Sequence, residues 1–438
     1  MVFYALWAEA EGDRMTILIK NGRVLNPAED LDRVMDVYIH DEIIEEVSEN
    51  INRAADEVID AEGCYVMPGL IDLHVHFRDP GLTYKEDIET GSRAAAHGGF
   101  TTVCCMPNTK PVTDNEDTVR YIIDKADSVG LTNVLPVGSV TKNMAGSEIT
   151  DVFELKEAGI CAISEDGKSV MNSSVYRRAM KNAVKAGVPV LAHCEDINLV
   201  DGGVINLGDK SKELGVKGIS NAVEDIIASR DIMLAKETGA KLHLCHCSTK
   251  DSVTMVKLAK EDGIKVTAEV CPHHFSMCSD DITSMDGNFK MNPPLRARED
   301  MEALIKGLSE DVMDVISTDH APHSEEEKAK DITKAPFGIV GLETAAALTM
   351  TYLVKQGHIT PMQMAAKMSY NPAKVLEIDK GTLNIGKTAD ITIFNPDEEW
   401  IINPDDFASK GKNTPFGGRQ VQGKVKYTIL SGKVVYND

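Results

Sequence analysis

The sequence predicts an α/β protein in which a (β/α)8 barrel of the TIM type is joined to a small β-sandwich built from both chain ends. Eight apolar, strand-like runs recur through the middle of the 438-residue chain, and amphipathic stretches lie between them. Strand-like segments with turn signals flank this region on both sides. Histidines and aspartates follow several of the runs, at the end where a barrel opens. A doubly wound open sheet is the alternative, because periodicity alone does not close a barrel.

The chain is expected to contain a short extension, a barrel and a sandwich in two parts. Residues 1–14 are the predicted extension and Met15 the expected functional start, because strand-like sequence follows Met15 and the preceding residues lack the basic region of a signal peptide. The remaining predicted boundaries are 15–67 for the first part of the sandwich, 68–378 for the barrel and 379–438 for the second part of the sandwich. Neither terminal part is large enough to fold alone, so the two are expected to pair. Asn21-Gly22 is predicted to form a tight turn.

The spacing of the hydrophobic residues locates the predicted barrel strands and two of the helices between them. The strand-like runs lie near residues 69–75, 100–106, 132–137, 159–164, 188–193, 240–246, 264–271 and 313–318. The stretches 173–186 and 222–238 each place apolar side chains on one helical face. The side chains predicted to face the core from these two helices are Val175, Ala179, Ala183, Val184, Val223, Ile226, Ile227 and Leu234.

The charge balance excludes whole classes of partner. Lysine plus arginine number 46 and aspartate plus glutamate 69, so the formal net charge is −23. Such a surface repels nucleic-acid phosphates and anionic lipid, and no apolar run approaches the length of about 20 residues that a membrane helix needs. The nine cysteines have no framework spacing, which is typical of a reducing compartment, so we expect a cytoplasmic protein.

Histidine and aspartate residues mark the candidate site. His74 and His76 end the first run and, at period two, point to the same side of a strand. His193 closes the fifth run, His246 the sixth, and Asp319 follows the eighth. Side chains from these strand ends converge at the mouth of a barrel. Nitrogen and oxygen ligands without thiolates favour zinc, with manganese or cobalt as alternatives.

The end of the fourth run leaves the identity of a bridging ligand open. Asp166 is the favoured carboxylate to bridge two metal ions. Glu165, which points the other way along the strand, and Lys168 as a carbamylated lysine are the competing candidates.

Several longer motifs run in order through nearly the whole chain from residue 15. They are Asp72-Leu73-His74-Val75-His76-Phe77-Arg78-Asp79-Pro80-Gly81, Met106-Pro107-Asn108-Thr109, Asn292-Pro293-Pro294-Leu295-Arg296, Ser317-Thr318-Asp319-His320-Ala321-Pro322-His323 and Pro336-Phe337-Gly338-Ile339-Val340-Gly341-Leu342-Glu343-Thr344. On these motifs the sequence resembles the amidohydrolase superfamily and, within it, the class I dihydroorotases. The His-x-His pair alone would indicate only the superfamily.

The resemblance implies a zinc centre with one or two ions per subunit, of which two are favoured. The metal ligands that it implies are His74, His76, Asp166, His193, His246 and Asp319. Many relatives, including dihydropyrimidinases and allantoinases, use a carbamylated lysine on the fourth strand. This sequence matches the class I pattern with aspartate instead.

The resemblance also implies the reversible cyclisation of N-carbamoyl-L-aspartate to L-dihydroorotate in pyrimidine synthesis, with metal-bound hydroxide and Asp319 as general acid and base. Matched to the family motifs, Arg78, Asn108 and His323 would hold the substrate carboxylate. The remaining residues expected to contact substrate are His76, Asn292, Phe337 and Gly338. The segment 336–341 has two glycines and is either a lid or an ordinary loop.

Two other readings compete with this one. A hydrolase of another cyclic amide, such as hydantoin or allantoin, would not need the cluster that holds a ring carboxylate. A non-catalytic partner of aspartate transcarbamoylase would have lost metal ligands, and here every expected ligand is present. Family members often form homodimers, and some associate with aspartate transcarbamoylase. His273 and His274 are expected to have structural hydrogen-bonding roles, and His97 to end a helix.

Overall fold

The computed structural model describes residues 15–438, so the predicted extension over 1–14 lies outside the described residues. The strands, in chain order, are β1 (Thr16–Asn26), β2 (Leu31–His40), β3 (Ile43–Ser48), β4 (Glu57–Asp60), β5 (Tyr65–Pro68), β6 (Leu70–Val75), β7 (Phe100–Cys105), β8 (Asn133–Ser139), β9 (Ala162–Ser164), β10 (Val190–Ala192), β11 (Ile205–Asn206), β12 (Gly218–Ile219), β13 (Leu242–Leu244), β14 (Val266–Val270), β15 (Val315–Ile316), β16 (Ile391–Ile401), β17 (Gln420–Leu430) and β18 (Lys433–Asn437).

Helices follow most of the central strands. The α-helices are α1 (Ile88–His97), α2 (Glu116–Val129), α3 (Val152–Ala158), α4 (Ser173–Ala186), α5 (Asp209–Glu213), α6 (Ala222–Thr238), α7 (Lys250–Glu261), α8 (Pro272–Ser276), α9 (Arg298–Ser309), α10 (Glu325–Lys328), α11 (Ala345–Thr349), α12 (Pro361–Ala365) and α13 (Asn371–Leu376). Shorter helical turns lie at Lys142–Met144, Ser279–Asp281, Gly287–Phe289, Met350–Val354, Ala366–Tyr370 and Pro404–Asp406.

Eight parallel strands form the barrel. Their order is β6-β7-β8-β9-β10-β13-β14-β15. The ring closes just beyond β15, where the backbone N–H of His76 donates to the carbonyl of His320 at 2.8 Å. Each of the eight predicted apolar runs overlaps one of these strands. The predicted (β/α)8 fold is therefore confirmed, and the open-sheet alternative is wrong.

Both chain ends contribute to a second sheet, in the order β18-β17-β16-β5-β1-β2-β3 with β4 beside β1. Strand β5 joins the two ends, because it pairs in parallel with β1 and antiparallel with β16. Inward residues of these strands, among them Ile19, Val37 and Ile391, make a hydrophobic core separate from that of the barrel. The pairing predicted for the two chain ends is thus present.

The turn predicted at Asn21-Gly22 is wrong. Strand β1 continues through these residues, and its register against β2 shifts by a bulge between Ile19 and Gly22. Asn21 takes a left-handed φ of 62° at this bulge and donates its N–H to the Asp36 side chain at 2.9 Å.

Caps set the bounds of the barrel helices. The side chain of Asn172 accepts the N–H groups that open α4, and Gly187, with a φ of 68°, ends that helix. The predicted inward faces of α4 and α6 are correct at Val175 and Val223, which are buried. They are wrong at Val184 and Ile226, which are exposed because each lies at the edge of its apolar stripe. Within 15–438 no helix combines the length and apolarity that a membrane crossing requires.

Candidate metal centre and active site

Six side chains gather at the carboxyl ends of the barrel strands. His74 belongs to β6, and the others follow the ends of their strands at the same barrel mouth. We call this group the cage, which consists of His74, His76, Asp166, His193, His246 and Asp319. All six are nearly inaccessible to solvent. The structure therefore brings together every residue that was predicted as a metal ligand.

Asp166 lies at the centre of the cage. Its Oδ1 is 3.1 Å from His74 Nε2, 3.3 Å from His193 Nδ1 and 3.7 Å from His246 Nε2. Its Oδ2 is 3.4 Å from His76 Nε2. One carboxylate thus faces four imidazoles, which is the arrangement that a bridging ligand needs.

Asp319 closes the cage on the side of β15. Its Oδ1 lies 3.2 Å from His76 Nε2 and 3.6 Å from His74 Nε2. Burial opposes ionisation, but the hydrogen bond with His76 and the neighbouring imidazoles hold the pKa of Asp319 below its usual value. Asp319 is therefore ionised at neutral pH and available to accept a proton.

The cage fits a divalent cation. His74 Nε2 and Asp166 Oδ1 are buried and make no hydrogen bond within the described chain, although buried polar atoms normally do. One ligand atom each from His74, Asp166 and His246 lie within 4.8 Å of one another, as do those of His74, His76 and Asp319. A set of imidazole and carboxylate ligands suits zinc and its neighbours in the first transition row.

The charges inside the cage are balanced by protons on its imidazoles. Burial disfavours the charged form of His74, yet the Asp166 carboxylate raises the pKa of His74 well above its usual value. Burial likewise opposes ionisation of Asp166, and the adjacent imidazoles hold the pKa of Asp166 well below its usual value. A cation that entered the cage would displace these protons, so metal affinity should rise with pH.

Glu269 on β14 supports the cage and was not predicted from the sequence. Its Oε1 is 3.0 Å from His74 Nδ1 and accepts the backbone N–H of His246 at 3.1 Å. Its Oε2 is 3.0 Å from His243 Nε2. The contact with His74 Nδ1 directs the other ring nitrogen of that histidine into the cage. An acidic residue inside the apolar run 264–271 was the signal available in the sequence.

Two further contacts orient imidazoles in the same way. His193 Nε2 is 3.1 Å from Glu195, whose other carboxylate oxygen accepts the Asn292 amide N–H at 3.0 Å. His76 Nδ1 is 2.9 Å from the side-chain oxygen of Asn108. In each histidine the remaining ring nitrogen therefore faces the cage, where a metal ion would displace any proton that it carries. Glu195, like Glu269, was missed by the sequence reasoning.

The competing candidates on the fourth strand point elsewhere. The Glu165 carboxylate accepts the backbone N–H of Thr141 at 2.9 Å and also contacts its hydroxyl. Lys168 donates to the carbonyl of Met144 at 3.2 Å. Asp166 is thus the residue of this segment whose side chain enters the cage.

The backbone at the barrel mouth adopts conformations that are unusual for residues other than glycine. Arg78, His246 and Asp319 have φ angles of 60°, 35° and 51°. Such left-handed residues cost of order 1 kcal/mol each and concentrate at functional sites. The chain here turns sharply so that each side chain points over the barrel axis.

A cavity of about 160 Å³ opens above the cage. Its lining includes every residue that was predicted to contact substrate, namely His76, Arg78, Asn108, Asn292, His323, Phe337 and Gly338. A larger cavity of about 280 Å³ lies near Trp400 and Tyr436, between the barrel and the second sheet, and none of the predicted site residues lines it. The cavity that the predicted residues line is therefore the smaller of the two.

One side of the smaller cavity carries the positive charge. We call it the substrate wall, which consists of Arg78, Asn108, His323, Phe337 and Gly338. Arg78 Nε donates to the Pro322 carbonyl at 3.3 Å. His323 receives a hydrogen bond from Lys85 on Nδ1 at 3.1 Å, and its Nε2 donates to the Phe337 carbonyl at 2.8 Å. Burial and the neighbouring cations lower the pKa of His323 to about 3, so this histidine is neutral. The charge of the wall comes from Arg78, since Lys85 is paired with Glu327 at 3.0 Å.

The histidines for which the sequence predicted a structural role or a helix end lie outside the cage. His274 is buried, and its Nε2 donates to the Pro293 carbonyl at 3.0 Å. His273 packs against it with ring centroids 4.2 Å apart. His97 is the last residue of α1, as expected, and lies 3.5 Å from Glu343.

Comparison with known proteins gives relatives along almost the whole chain. A family model described as dihydro-orotase-like matches residues 63–252. The dihydroorotase of Ruminiclostridium cellulolyticum is 48% identical over 421 residues, which cover 96% of this chain and 98% of that protein. The dihydroorotase of Acetivibrio thermocellus is 47% identical over 422 residues, which cover 96% of this chain and 99% of that protein.

Solved structures agree on the architecture. The L-hydantoinase (dihydropyrimidinase) from Arthrobacter aurescens superposes with a TM-score of 0.87 at 26% identity, covering 97% of this chain and 96% of that chain. The D-hydantoinase (dihydropyrimidinase) from a Thermus species gives a TM-score of 0.82 at 26% identity, covering 96% and 95%. Identity near one half over nearly the full length of the sequence relatives is decisive, and this chain belongs to the dihydroorotase family.

Proposed function

We propose that this chain catalyses the reversible cyclisation of N-carbamoyl-L-aspartate to L-dihydroorotate, a step of pyrimidine synthesis. The observation that carries the proposal is the position of the cage directly beneath a wall that presents Arg78 to a cavity of about 160 Å³. A metal-dependent cyclic-amide hydrolase needs the ligands of the cage. A substrate with a ring carboxylate needs the positive charge of Arg78.

The proposed cofactor is zinc, with two ions per subunit favoured over one. His74, His76, Asp166, His193, His246 and Asp319 would hold it, with Asp166 between the two positions. When bound, the metal would polarise the amide carbonyl and lower the pKa of water toward about 7. Glu269 and Glu195 would keep the ligating nitrogens of His74 and His193 unprotonated and aimed inward.

Asp319 is the proposed general acid and base. Its carboxylate lies at the floor of the cavity and is ionised, so it can take a proton from the attacking water. In ring opening it then delivers that proton to the leaving ring nitrogen. In the biosynthetic direction Asp319 takes the proton from the carbamoyl nitrogen and returns it to the departing oxygen.

The substrate wall would hold the ring. The Arg78 guanidinium supplies the charge that grips the substrate carboxylate, since His323 is neutral. Asn108 and His323 would complete the polar contacts on that side. His76, Asn292 and the Phe337–Gly338 backbone are placed to meet the amide edge.

The unit of assembly is also proposed from the family. We take 15–67 and 379–438 as the two parts of one β-domain and 68–378 as the catalytic barrel. We also propose that the chain forms a homodimer, associates with aspartate transcarbamoylase and lies in the cytoplasm, as the sequence led us to expect. Light scattering of the purified protein, alone and with the transcarbamoylase, tests the assembly.

An assay with three substrates tests the reaction. Dihydroorotate, hydantoin and allantoin are offered separately to the zinc-loaded protein, and we expect turnover of dihydroorotate alone. Turnover of hydantoin without turnover of dihydroorotate would overturn the proposal, because the substrate wall would then have no carboxylate to bind.

Metal analysis tests the cage. Asp166→Ala should lose most of the bound zinc, whereas Lys168→Met, which changes a neighbour directed away from the cage, should keep it. Full zinc content in Asp166→Ala would assign the bridge to another residue.

A further inference from the structure

A buried lysine lies behind the substrate wall and has no role in the proposed chemistry. Lys328 ends α10, and only 3% of its surface is exposed. Its Nζ donates to the carbonyl of Gly338 at 2.8 Å, of Lys290 at 3.1 Å and of Pro336 at 3.1 Å. The ammonium has three N–H groups, so these carbonyls use its full hydrogen-bonding capacity.

The charge of Lys328 has no carboxylate partner. Within residues 15–438, no aspartate or glutamate oxygen lies within 4.0 Å of its Nζ. Burial and the neighbouring Lys290 ammonium lower the pKa of Lys328 to about 7, so holding its charged form at neutral pH costs free energy that an apolar side chain of similar length would avoid. What the ammonium provides instead is a fixed position for three carbonyl groups, two of which belong to the segment 336–338.

Gly338 is held from a second direction. Asn413, in the connection between β16 and β17, donates its side-chain N–H to the Gly338 carbonyl at 3.0 Å and to the Ala321 carbonyl at 3.1 Å. Its side-chain oxygen accepts the backbone N–H of His323 at 3.0 Å. Asn413 therefore joins the two stretches of the substrate wall that follow β15.

The chain at Gly338 runs too close to its neighbours to accommodate a side chain. Its φ is 125°, and a Cβ there would lie 2.7 Å from the Ala321 Cβ and 3.2 Å from His323 Nε2. The ring of Phe337 packs under the ammonium of Lys290, with 4.6 Å from Nζ to the ring centroid. The segment 336–338 is thus anchored on its inner side and open to the cavity on the other.

We propose that Lys328 is a positioning residue, which with Asn413 fixes the Phe337–Gly338 backbone as a rigid surface for substrate binding. The proposal rests on the function proposed above, because it assigns that surface to dihydroorotate. It also resolves the choice left open for 336–341 in favour of an anchored wall, since a lid would have to break the contacts of both residues.

Lys367 provides a matched control. It is also a buried lysine, 1% exposed, and its Nζ donates to the Met313 carbonyl at 2.9 Å and to Asp311 at 2.7 Å. Those partners precede β15, at the opposite end of the barrel from the cage. Replacing either lysine should lower the melting temperature, but only one replacement should change substrate binding.

The test compares Lys328→Met, Lys328→Arg and Lys367→Met by steady-state kinetics and zinc content. We expect Lys328→Met to raise KM for dihydroorotate about tenfold or more while kcat changes less than about threefold, with zinc retained. Lys328→Arg should recover part of the loss, and Lys367→Met should keep KM within about twofold of wild type. Equal KM values in the two methionine variants would overturn the proposal.

A second variant covers the case in which Lys328→Met does not fold. Asn413→Ala removes the other donor to Gly338 and should raise KM about threefold or more with zinc retained; an unchanged KM would contradict the proposal. Failure of the wild type to turn over dihydroorotate would instead reject the proposed function itself. A raised KM in Arg78→Lys, beside a normal KM in the Lys328 and Asn413 variants, would reject only the positioning role.

Discussion

Asp314 and Asp319 flank the same short strand, β15, and their surroundings differ completely. Asp314 precedes the strand, where both carboxylate oxygens bind Lys260 Nζ at 2.7 and 2.8 Å and one also accepts the N–H of Ala268. Asp319 follows the strand, and the ring nitrogens that face it within 4.0 Å belong to the imidazoles of His76 and His74. No lysine or arginine nitrogen of the described chain lies within 4.0 Å of Asp319.

The difference shows that an aspartate can serve either to stabilise the fold or to take part in chemistry, depending on its partners. At the closed end of the barrel a carboxylate is neutralised by a lysine and a backbone N–H, so its charge stabilises the fold. At the open end the cage carboxylates Asp166 and Asp319 are balanced by imidazoles, which can exchange protons for a metal ion. Pairing with a fixed cation, rather than burial, is therefore what distinguishes Asp314 from the cage carboxylates.

The largest expected effect is at the open end. Asp319→Ala should lower kcat by about three orders of magnitude because the proton acceptor is lost, while zinc is largely retained by the remaining ligands. Its free energy of unfolding should fall modestly, since the contacts with His76 and His74 that hold the pKa of Asp319 below its usual value also stabilise the folded state. Kinetics, metal analysis and urea unfolding together check this, and near-normal turnover would remove Asp319 from proton transfer.

The reverse pattern is expected at the closed end. Asp314→Ala should lower the free energy of unfolding by about 2 kcal/mol, because Lys260 and the Ala268 N–H lose their acceptor. Both kcat and KM should be unchanged. Asp314→Asn, which keeps an acceptor for the N–H, is the control and should lose less stability; a large fall in kcat would end the distinction between the two ends.

A smaller effect is expected in the substrate wall. Arg78→Lys should raise KM for dihydroorotate about tenfold with little change in kcat, since a single ammonium cannot reproduce the paired contact of a guanidinium. Steady-state kinetics at saturating zinc measure this. An unchanged KM would place Arg78 outside the substrate site.

The smallest effect concerns a carboxylate at the open end that does have a lysine partner. Glu327 lies 3.0 Å from Lys85 Nζ. Although burial pushes its pKa upward, hydrogen bonds from Lys85 and the Ser324 backbone bring the pKa of Glu327 down to about 2. The folded value lies below the unfolded one, so its stabilisation is fully present above about pH 4.5 and is lost as pH falls toward 2.

Glu327→Gln should therefore cost below about 1 kcal/mol at pH 6, because the pair is partly exposed, and progressively less in acid. Urea unfolding of both proteins between pH 6 and 3 measures the difference. A gap that widened in acid would contradict the assignment of the ion pair.

The sequence was sufficient for the barrel strands and the cage because each cage residue is marked by a local pattern, a titratable side chain at or just beyond the end of an apolar run. Glu269 and Glu195 also lie inside or just beyond apolar runs, but their roles depend on contacts with His74, His193 and Asn292 that the runs alone do not reveal. Lys328 and Asn413 were beyond reach because their partners are backbone carbonyls, which are present at every position. The errors at Asn21, Val184 and Ile226 were local signals overridden by tertiary packing.

The place of Asn413 has a consequence for the evolution and engineering of this chain. A residue encoded near the end of the polypeptide, outside the eight-stranded ring, completes the rim against which the ligand is proposed to rest. A barrel produced without the terminal strands would keep all six cage residues but would lack Asn413, one of the residues that hold the rim of the cavity. The connection between the terminal strands β16 and β17 is thus part of the proposed substrate site. Replacing or truncating it should change KM for the ligand more than kcat.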